Sequence, residues 1–291
     1  MNYYQKGNSI ICENLDFFDI KAIFTCGQAF RWYEEKDGSF TTVHLGRVLN
    51  VLNEDNRVVF KGTNLEEFKE IWVDYFDLNT NYKEIRKTLS SNEILVNAME
   101  YGKGIRILNQ NHFEMLISFI ISANNMIPRI KKSIEFLSNR YGTFICEDEN
   151  RKYYSFPTVE QLKNVKTEDF REFIRVGFRD KRIYQTIKMI LDEKIDLSSF
   201  ETLDTNSLRE ELLKFSGVGN KVADCIMLFS YKRKEVFPVD VWIKRVMEEL
   251  FIKQETPVKK IAKEANRIFG KYAGYAQQYL FYYGREEKIG K

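Results

Sequence analysis

The rhythm of hydrophobic and polar positions changes near residue 80. Before that point the apolar residues come in short runs, over 28–33, 40–45, 48–52 and 57–61, rich in Val, Phe, Thr and Tyr. Turn-forming groups such as Lys36-Asp37-Gly38 and Asn53-Glu54-Asp55-Asn56 separate them. Such runs between such turns predict an antiparallel meander. A helix is predicted over 65–75, with a boundary at Asp77-Leu78-Asn79. From about residue 81 the apolar spacing is that of helices, near 81–88, 91–99, 111–123, 127–140, 158–164, 167–173, 180–192, 206–213, 219–230, 241–251, 257–269 and 273–284. The four prolines, at 128, 157, 238 and 257, all sit at or near a predicted boundary. The two textures predict an α+β fold. An N-terminal antiparallel β-sheet domain, 1–80, packs on a mainly α-helical body, 81–291, of two helical lobes.

Two stretches break the helical pattern in ways that carry chemistry. In the first, 213–250, a helix enters a tight turn at Gly217-Val218-Gly219, and Lys221 stands in the first turn of the next helix. A short basic loop leads to Pro238-Val239-Asp240, with Asp240 at the N-cap position of a further helix. Free backbone N–H groups and helix dipoles at two such N-termini suit a phosphate. A lysine amine placed there is a nucleophile towards a sugar C1′ or a carbonyl, and Asp240 is placed to steer it. Read alone, the same residues also fit a surface lysine and an ordinary aspartate cap.

The second stretch is 115–130. Met115 to Ile121 is apolar nearly all round, which predicts a buried helix, and it runs into Asn124-Asn125 before Pro128. Paired amides at the end of a buried helix fit a rigid polar floor, and equally a helix end capped by Asn.

Composition narrows the picture by exclusion. At 291 residues with 44% hydrophobic content, the chain is long enough for two or three lobes. A net charge of +3 permits nucleic-acid binding without arguing for it. The basic groups 179–182, 232–234 and 259–260 read singly as solvated helix ends. Four cysteines without a CxxC spacing, and two histidines, predict no disulfide framework, zinc site or iron–sulfur cluster. No signal peptide or membrane-length apolar run is apparent. The expectation is a soluble intracellular protein, cytoplasmic and nucleoid-associated if bacterial.

The first stretch resembles a known motif. Phe215-Ser216-Gly217-Val218-Gly219-Asn220-Lys221-Val222-Ala223-Asp224-Cys225 with Phe237-Pro238-Val239-Asp240-Val241 is similar to the helix-hairpin-helix, Gly/Pro-Asp motif of base-excision DNA glycosylases. The hairpin falls at about 206–230. The likeness is to the 8-oxoguanine DNA glycosylase/AP lyase branch, with Ser216 in place of the family's proline. It extends to Cys26-Gly27-Gln28-Ala29-Phe30-Arg31-Trp32, to Asn124-Asn125-Met126-Ile127-Pro128-Arg129-Ile130 and to Ala276-Gln277-Gln278-Tyr279-Leu280-Phe281.

The resemblance implies roles. Lys221 and Asp240 are catalytic, and the backbone carbonyl of Gly27 reads the lesion. Cys225, Gln277 and Phe281 bind the flipped base. Asn124, Arg129, Phe178, Arg179, Gly217, Gly219 and Trp242 contact DNA. The backbone carbonyls of Leu213, Phe215 and Val218 hold a monovalent or divalent cation. No cofactor is required, and the partner is damaged double-stranded DNA, bound by a monomer. Three departures stand out: Phe178 where the family has Tyr, Met126 where it has Asn, and Trp242 where it often has a phosphate-binding His. An alkylated-base glycosylase, an endonuclease III-like pyrimidine glycosylase and a non-catalytic DNA-binding hairpin remain as alternatives. Lys221 separates the first, the missing cysteines the second, and the joint presence of Lys221, Asp240, Gln277 and Phe281 the third.

Overall fold

Alternation of Val, Phe and Thr builds a six-stranded sheet at the start of the chain, and helical spacing builds nearly all the rest. The computed structural model describes residues 2–290. The strands are β1 (Asn2–Lys6), β2 (Ser9–Glu13), then, after helix α1 (Ile20–Thr25), β3 (Trp32–Glu34), β4 (Phe40–His44), β5 (Arg47–Glu54) and β6 (Arg57–Lys61). Their order in the sheet is β1-β2-β6-β5-β4-β3. β1 and β2 pair antiparallel from Asn2↔Glu13 to Lys6↔Ser9, and β2 pairs β6 from Ser9↔Lys61 to Glu13↔Arg57.

Helices follow: α2 (Leu65–Glu67), α3 (Val73–Tyr75), α4 (Tyr82–Leu89), α5 (Glu93–Tyr101), α6 (His112–Ser122) and α7 (Ile127–Tyr141). A small hairpin, β7 (Phe144–Glu147) and β8 (Lys152–Tyr154), interrupts them. Then come α8 (Thr167–Glu172), α9 (Asp180–Asp192), α10 (Thr205–Leu213), α11 (Asn220–Phe229), α12 (Val241–Val246), α13 (Val258–Phe269) and α14 (Ala273–Glu286). Widened π-type turns join α2 to α3 and extend α12.

The chain divides into two compact units. One comprises 1–29, 51–109 and 227–291, the other 30–50 and 110–226, so the division passes through β5 and α11. The first has an aromatic core in which Phe60 meets Phe68 at 5.0 Å and Phe76 at 5.6 Å between ring centroids. Each such buried Phe contributes about 1.5–3 kcal/mol. The second is built round α6, whose residues from Met115 to Ile121 are all buried. That helix is apolar all round because it has no solvent face.

The helical pattern is reproduced closely, while the N-terminal region departs from its pattern in two places. β1 and β2 went unpredicted: β1 is a polar edge strand with almost no buried face, so it carries no alternation to read. The run over 28–33 is strand only from Trp32, because Gln28 is wholly buried and acts as a backbone substitute. Its Nε2 donates to Ile23 O and Arg106 O, and its Oε1 accepts from Leu108 N. Among the described residues no helix is long and apolar enough to cross a membrane.

Candidate active site

In the second unit, the turn between α10 and α11 forms as the glycines require. Gly217 has φ +87, a left-handed conformation that only glycine takes without strain. A Cβ there would stand 2.8 Å from Arg182 Cδ, so the Arg182 chain lies across the turn. Ser216, standing where proline was expected, is tied on both sides. Its Oγ and Gln185 Oε1 lie 2.6 Å apart, and its carbonyl accepts from Thr186 Oγ1 at 3.2 Å. α9 therefore supplies the stiffness that a proline ring would have given. Arg209 on α10 grips Asp224 on α11 at 2.7 Å and locks the hairpin's two helices. Burial raises the Asp224 carboxyl, and Arg209 opposes that rise.

Lys221, the second residue of α11, is half-buried, and its Nζ lies 5.4 Å from the centre of the Phe119 ring. Phe119 is fixed in turn by an edge contact with Phe30 at 5.7 Å. An ammonium over an aromatic face is held by the ring's quadrupole, at about 0.5–1 kcal/mol or more where water is excluded. Cys225, one helical turn on, is buried. Phe215 and Val218 are buried, Leu213 is partly exposed, and Val218 N donates to Phe215 O at 3.1 Å.

The paired asparagines after α6 divide the labour. Asn125 caps: its Nδ2 donates to Ile121 O and its Oδ1 accepts from Met126 N. Asn124 is exposed and left-handed at φ +52. Arg179 is only 6% exposed, and its guanidinium donates to Ala123 O, Asn124 O and Val176 O. It braces the Asn124 turn. Its pKa is lowered by burial first and by Arg182 second. Phe178 is exposed and lies under both Arg179 and Arg182, at 4.3 and 5.2 Å. Met126 and Arg129 are exposed.

In the first unit, Asp240 caps α12 as its position predicts, with Oδ1 accepting from Ile243 N at 2.8 Å, and Trp242 follows in that helix's first turn. Gln277 and Phe281 sit four apart on α14, hence on one face. Gln277 is buried, yet its Oε1 accepts no hydrogen bond from the described residues. Leaving such a group unpaired costs roughly 1–3 kcal/mol, which a bound partner would relieve. Gly27 takes φ +86, and a Cβ there would stand 3.0 Å from Phe281 Cε1. The backbone of Gly27 therefore lies directly against the Phe281 ring.

Sequence reading missed the supporting residues: Phe119 under Lys221, Arg182 and Gln185 behind the turn, and Arg179 in its bracing role. The basic loop 232–234 is spent on structure. Lys232 pairs with Asp74 at 2.6 Å, and burial lowers Lys234, which donates to Asn109 Oδ1, to about 8. Among the described residues none of the four cysteines forms a disulfide. Among the described residues no group of three or more His, Cys, Asp or Glu side chains is placed to hold a metal ion.

Comparison with known proteins identifies the family. Residues 9–116 match the 8-oxoguanine DNA glycosylase N-terminal domain, and 117–271 match the HhH-GPD superfamily of base excision DNA repair proteins. The N-glycosylase/DNA lyase of Saccharomyces cerevisiae is 31% identical over 307 residues, covering 89% of this chain and 81% of the yeast protein. One solved structure is similar with a TM-score of 0.96, at 43% identity and 99% coverage of both chains. That neighbour is the Clostridium acetobutylicum 8-oxoguanine glycosylase/lyase, solved with double-stranded DNA containing cytosine opposite 8-oxoG. A 3-methyladenine DNA-glycosylase of Archaeoglobus fulgidus shares the fold at a TM-score of 0.77 and 20% identity. The chain belongs to the 8-oxoguanine DNA glycosylase/AP lyase branch of the HhH-GPD superfamily of base excision DNA repair proteins.

Proposed function

We propose that this protein excises 8-oxoguanine from duplex DNA and then cuts the abasic strand through a covalent amine intermediate. The observation that carries the reading is Lys221, in the first turn of α11 directly after the glycine turn and held over Phe119. A hairpin that only binds DNA needs the turn but not the amine.

In this reading the N–H groups of Gly217–Gly219 grip a backbone phosphate, which positions the duplex without reading its sequence. The lesion is flipped out at a cost of a few kcal/mol. Asn124, on a turn braced by Arg179, fills the gap, while Arg129 and Phe178 meet the orphaned base and its neighbours from an exposed surface. Phe281 and Cys225 flank the extruded base, and Gln277 bonds its Watson–Crick edge, which satisfies the unpaired Oε1. 8-Oxoguanine carries an N7 hydrogen where guanine has a lone pair. The Gly27 carbonyl accepts from the first and repels the second.

Lys221 Nζ then attacks C1′ and the base departs with the bonding pair, while Asp240 stabilises the positive charge on the sugar. Nζ gives up a proton and the C1′–O4′ bond opens with O4′ taking it up, which turns the C1′–N bond into a Schiff base. Loss of a C2′ proton expels the 3′ phosphate by β-elimination. The residues require no redox cofactor. A cation at the hairpin would be held by the carbonyls of Leu213, Phe215 and Val218, using the Phe215 lone pair that Val218 N leaves free. Trp242, at the start of α12, is assigned to the DNA backbone, and the enzyme is read as a monomer.

The test is single-turnover assay of a duplex with one 8-oxoguanine, following base release and strand scission separately. Both should occur with wild type and neither on undamaged DNA. Base release without scission would leave a hydrolytic glycosylase, and absence of both would remove the lesion assignment.

A further inference from the structure

The turn after α1 presents three successive carbonyls, those of Thr25, Cys26 and Gly27. Side chains of α14 take the first two. Arg285 Nη2 donates to Thr25 O at 2.8 Å, and Gln278 Nε2 donates to Cys26 O at 2.9 Å. The third, that of Gly27, receives no hydrogen bond from the described residues. Gln278 and Cys26 are buried to 2% and 0% exposure, so their bond is shielded from water. Arg285 lies with its guanidinium carbon 5.5 Å from the Phe281 ring centre, and its Nη1, itself buried without a partner, is 3.7 Å from where a Gly27 Cβ would stand. One helix thus carries the proposed base-binding pair, Gln277 and Phe281, and also the two donors that hold the neighbouring turn.

We propose that Gln278 and Arg285 are positioning residues for lesion discrimination. They fix the Thr25–Gly27 turn to α14, so that the one carbonyl left free cannot move aside when it meets a lone pair. A carbonyl that could swing away would relieve its repulsion from guanine and lose the distinction between N–H and lone pair. Selectivity by an acceptor therefore needs a rigid acceptor, held by the shell behind it. This rests on the reading of 8-oxoguanine by Gly27 given above. Neither residue touches the base.

The experiment measures affinity of wild type, Gln278→Met, Arg285→Met and Arg285→Lys for three otherwise identical duplexes, carrying 8-oxoguanine, guanine or an abasic-site analogue. In Gln278→Met the lesion-over-guanine ratio is expected to fall about tenfold, the order of one lost buried hydrogen bond. Arg285→Met should lose less, and Arg285→Lys should recover part of that loss. Affinity for the abasic duplex, which has no base to read, should stay within about twofold in all variants. An unchanged ratio overturns the inference, and so does an equal loss on all three duplexes, which is what a merely structural role would give. Should Gln278→Met fail to fold, Arg285→Met, nearer the surface at 18% side-chain exposure, decides the question. A wild type with no preference for the lesion would remove the underlying reading of Gly27, and with it this inference.

Discussion

The Asn124 turn and the Gly27 turn are built by the same device and present opposite things. Each carries a residue in left-handed backbone, Asn124 at φ +52 and Gly27 at φ +86. In each, an arginine from a remote helical segment takes carbonyls of the turn: Arg179 those of Ala123 and Asn124, Arg285 that of Thr25. In the first, both carbonyls are consumed and an exposed side-chain amide is what remains to act. In the second, the tip has no side chain, and a backbone carbonyl remains. A brace determines which polar group stays available, and so what a turn can recognise: Asn124 can fill space and bond in several ways, whereas Gly27 can only accept.

The comparison is most sharply broken by removing a brace. Arg179→Ala removes the side-chain donor of three carbonyls, so unfolding free energy should drop by about 3 kcal/mol or more in a urea titration. Asn124→Gly, at the exposed tip, should stay within about 0.5 kcal/mol of wild type in the same titration while weakening binding to lesion duplex. Equal stability losses would mean that tip and brace are not separate functions. Gly27→Ala is intermediate. Its φ of +86 and the 3.0 Å approach to Phe281 Cε1 oppose a methyl group, so stability should fall by about 1 kcal/mol. Lesion excision should slow about tenfold or more.

Smaller effects sharpen the contrast between the two faces. Phe119→Leu removes the ring that positions Lys221, and the rate of covalent capture should fall about two- to fivefold, the cost of a less well placed amine. Met126 and Phe178 put apolar, exposed groups where the resemblance expects Asn and Tyr. A series of opposite bases should therefore spread by less than about tenfold in excision rate, the size of one hydrogen bond. A steep cytosine preference would contradict this. A further effect is at low pH. Burial, then Arg31, lowers buried His44 from 6.5 to about 3. The folded protein keeps this imidazole neutral while the unfolded chain protonates it near 6.5, so the stability it supports is complete above that pH and drains away as pH falls towards 3. His44→Phe should flatten the pH dependence of unfolding across that window.

What the sequence discloses and what it hides follow the same division. Local patterns were legible: the boundaries of α9 and α13, the Asp240 cap, and the glycine turn before Lys221 all depend on neighbours in the chain. The candidate site residues Gly27, Asn124, Gln277 and Phe281 were proposed through resemblance. Their supports were not, because a brace is a contact between distant positions. Arg179 lies 55 residues from Asn124, and Gln278 lies 252 from Cys26. Nothing in the spacing of Gln278 separates it from any buried amide. β1 was invisible for a different reason: a polar edge strand has no hydrophobic face to reveal it.

The central claim is that Lys221 is the nucleophile and 8-oxoguanine its target. Borohydride trapping on a duplex with a single 8-oxoguanine, wild type beside Lys221→Gln, tests both at once. The expected result is a covalent protein–DNA adduct for wild type, absent for the variant and on undamaged duplex. Base release by wild type without any adduct would contradict the account and leave water, steered by Asp240, as the attacking group.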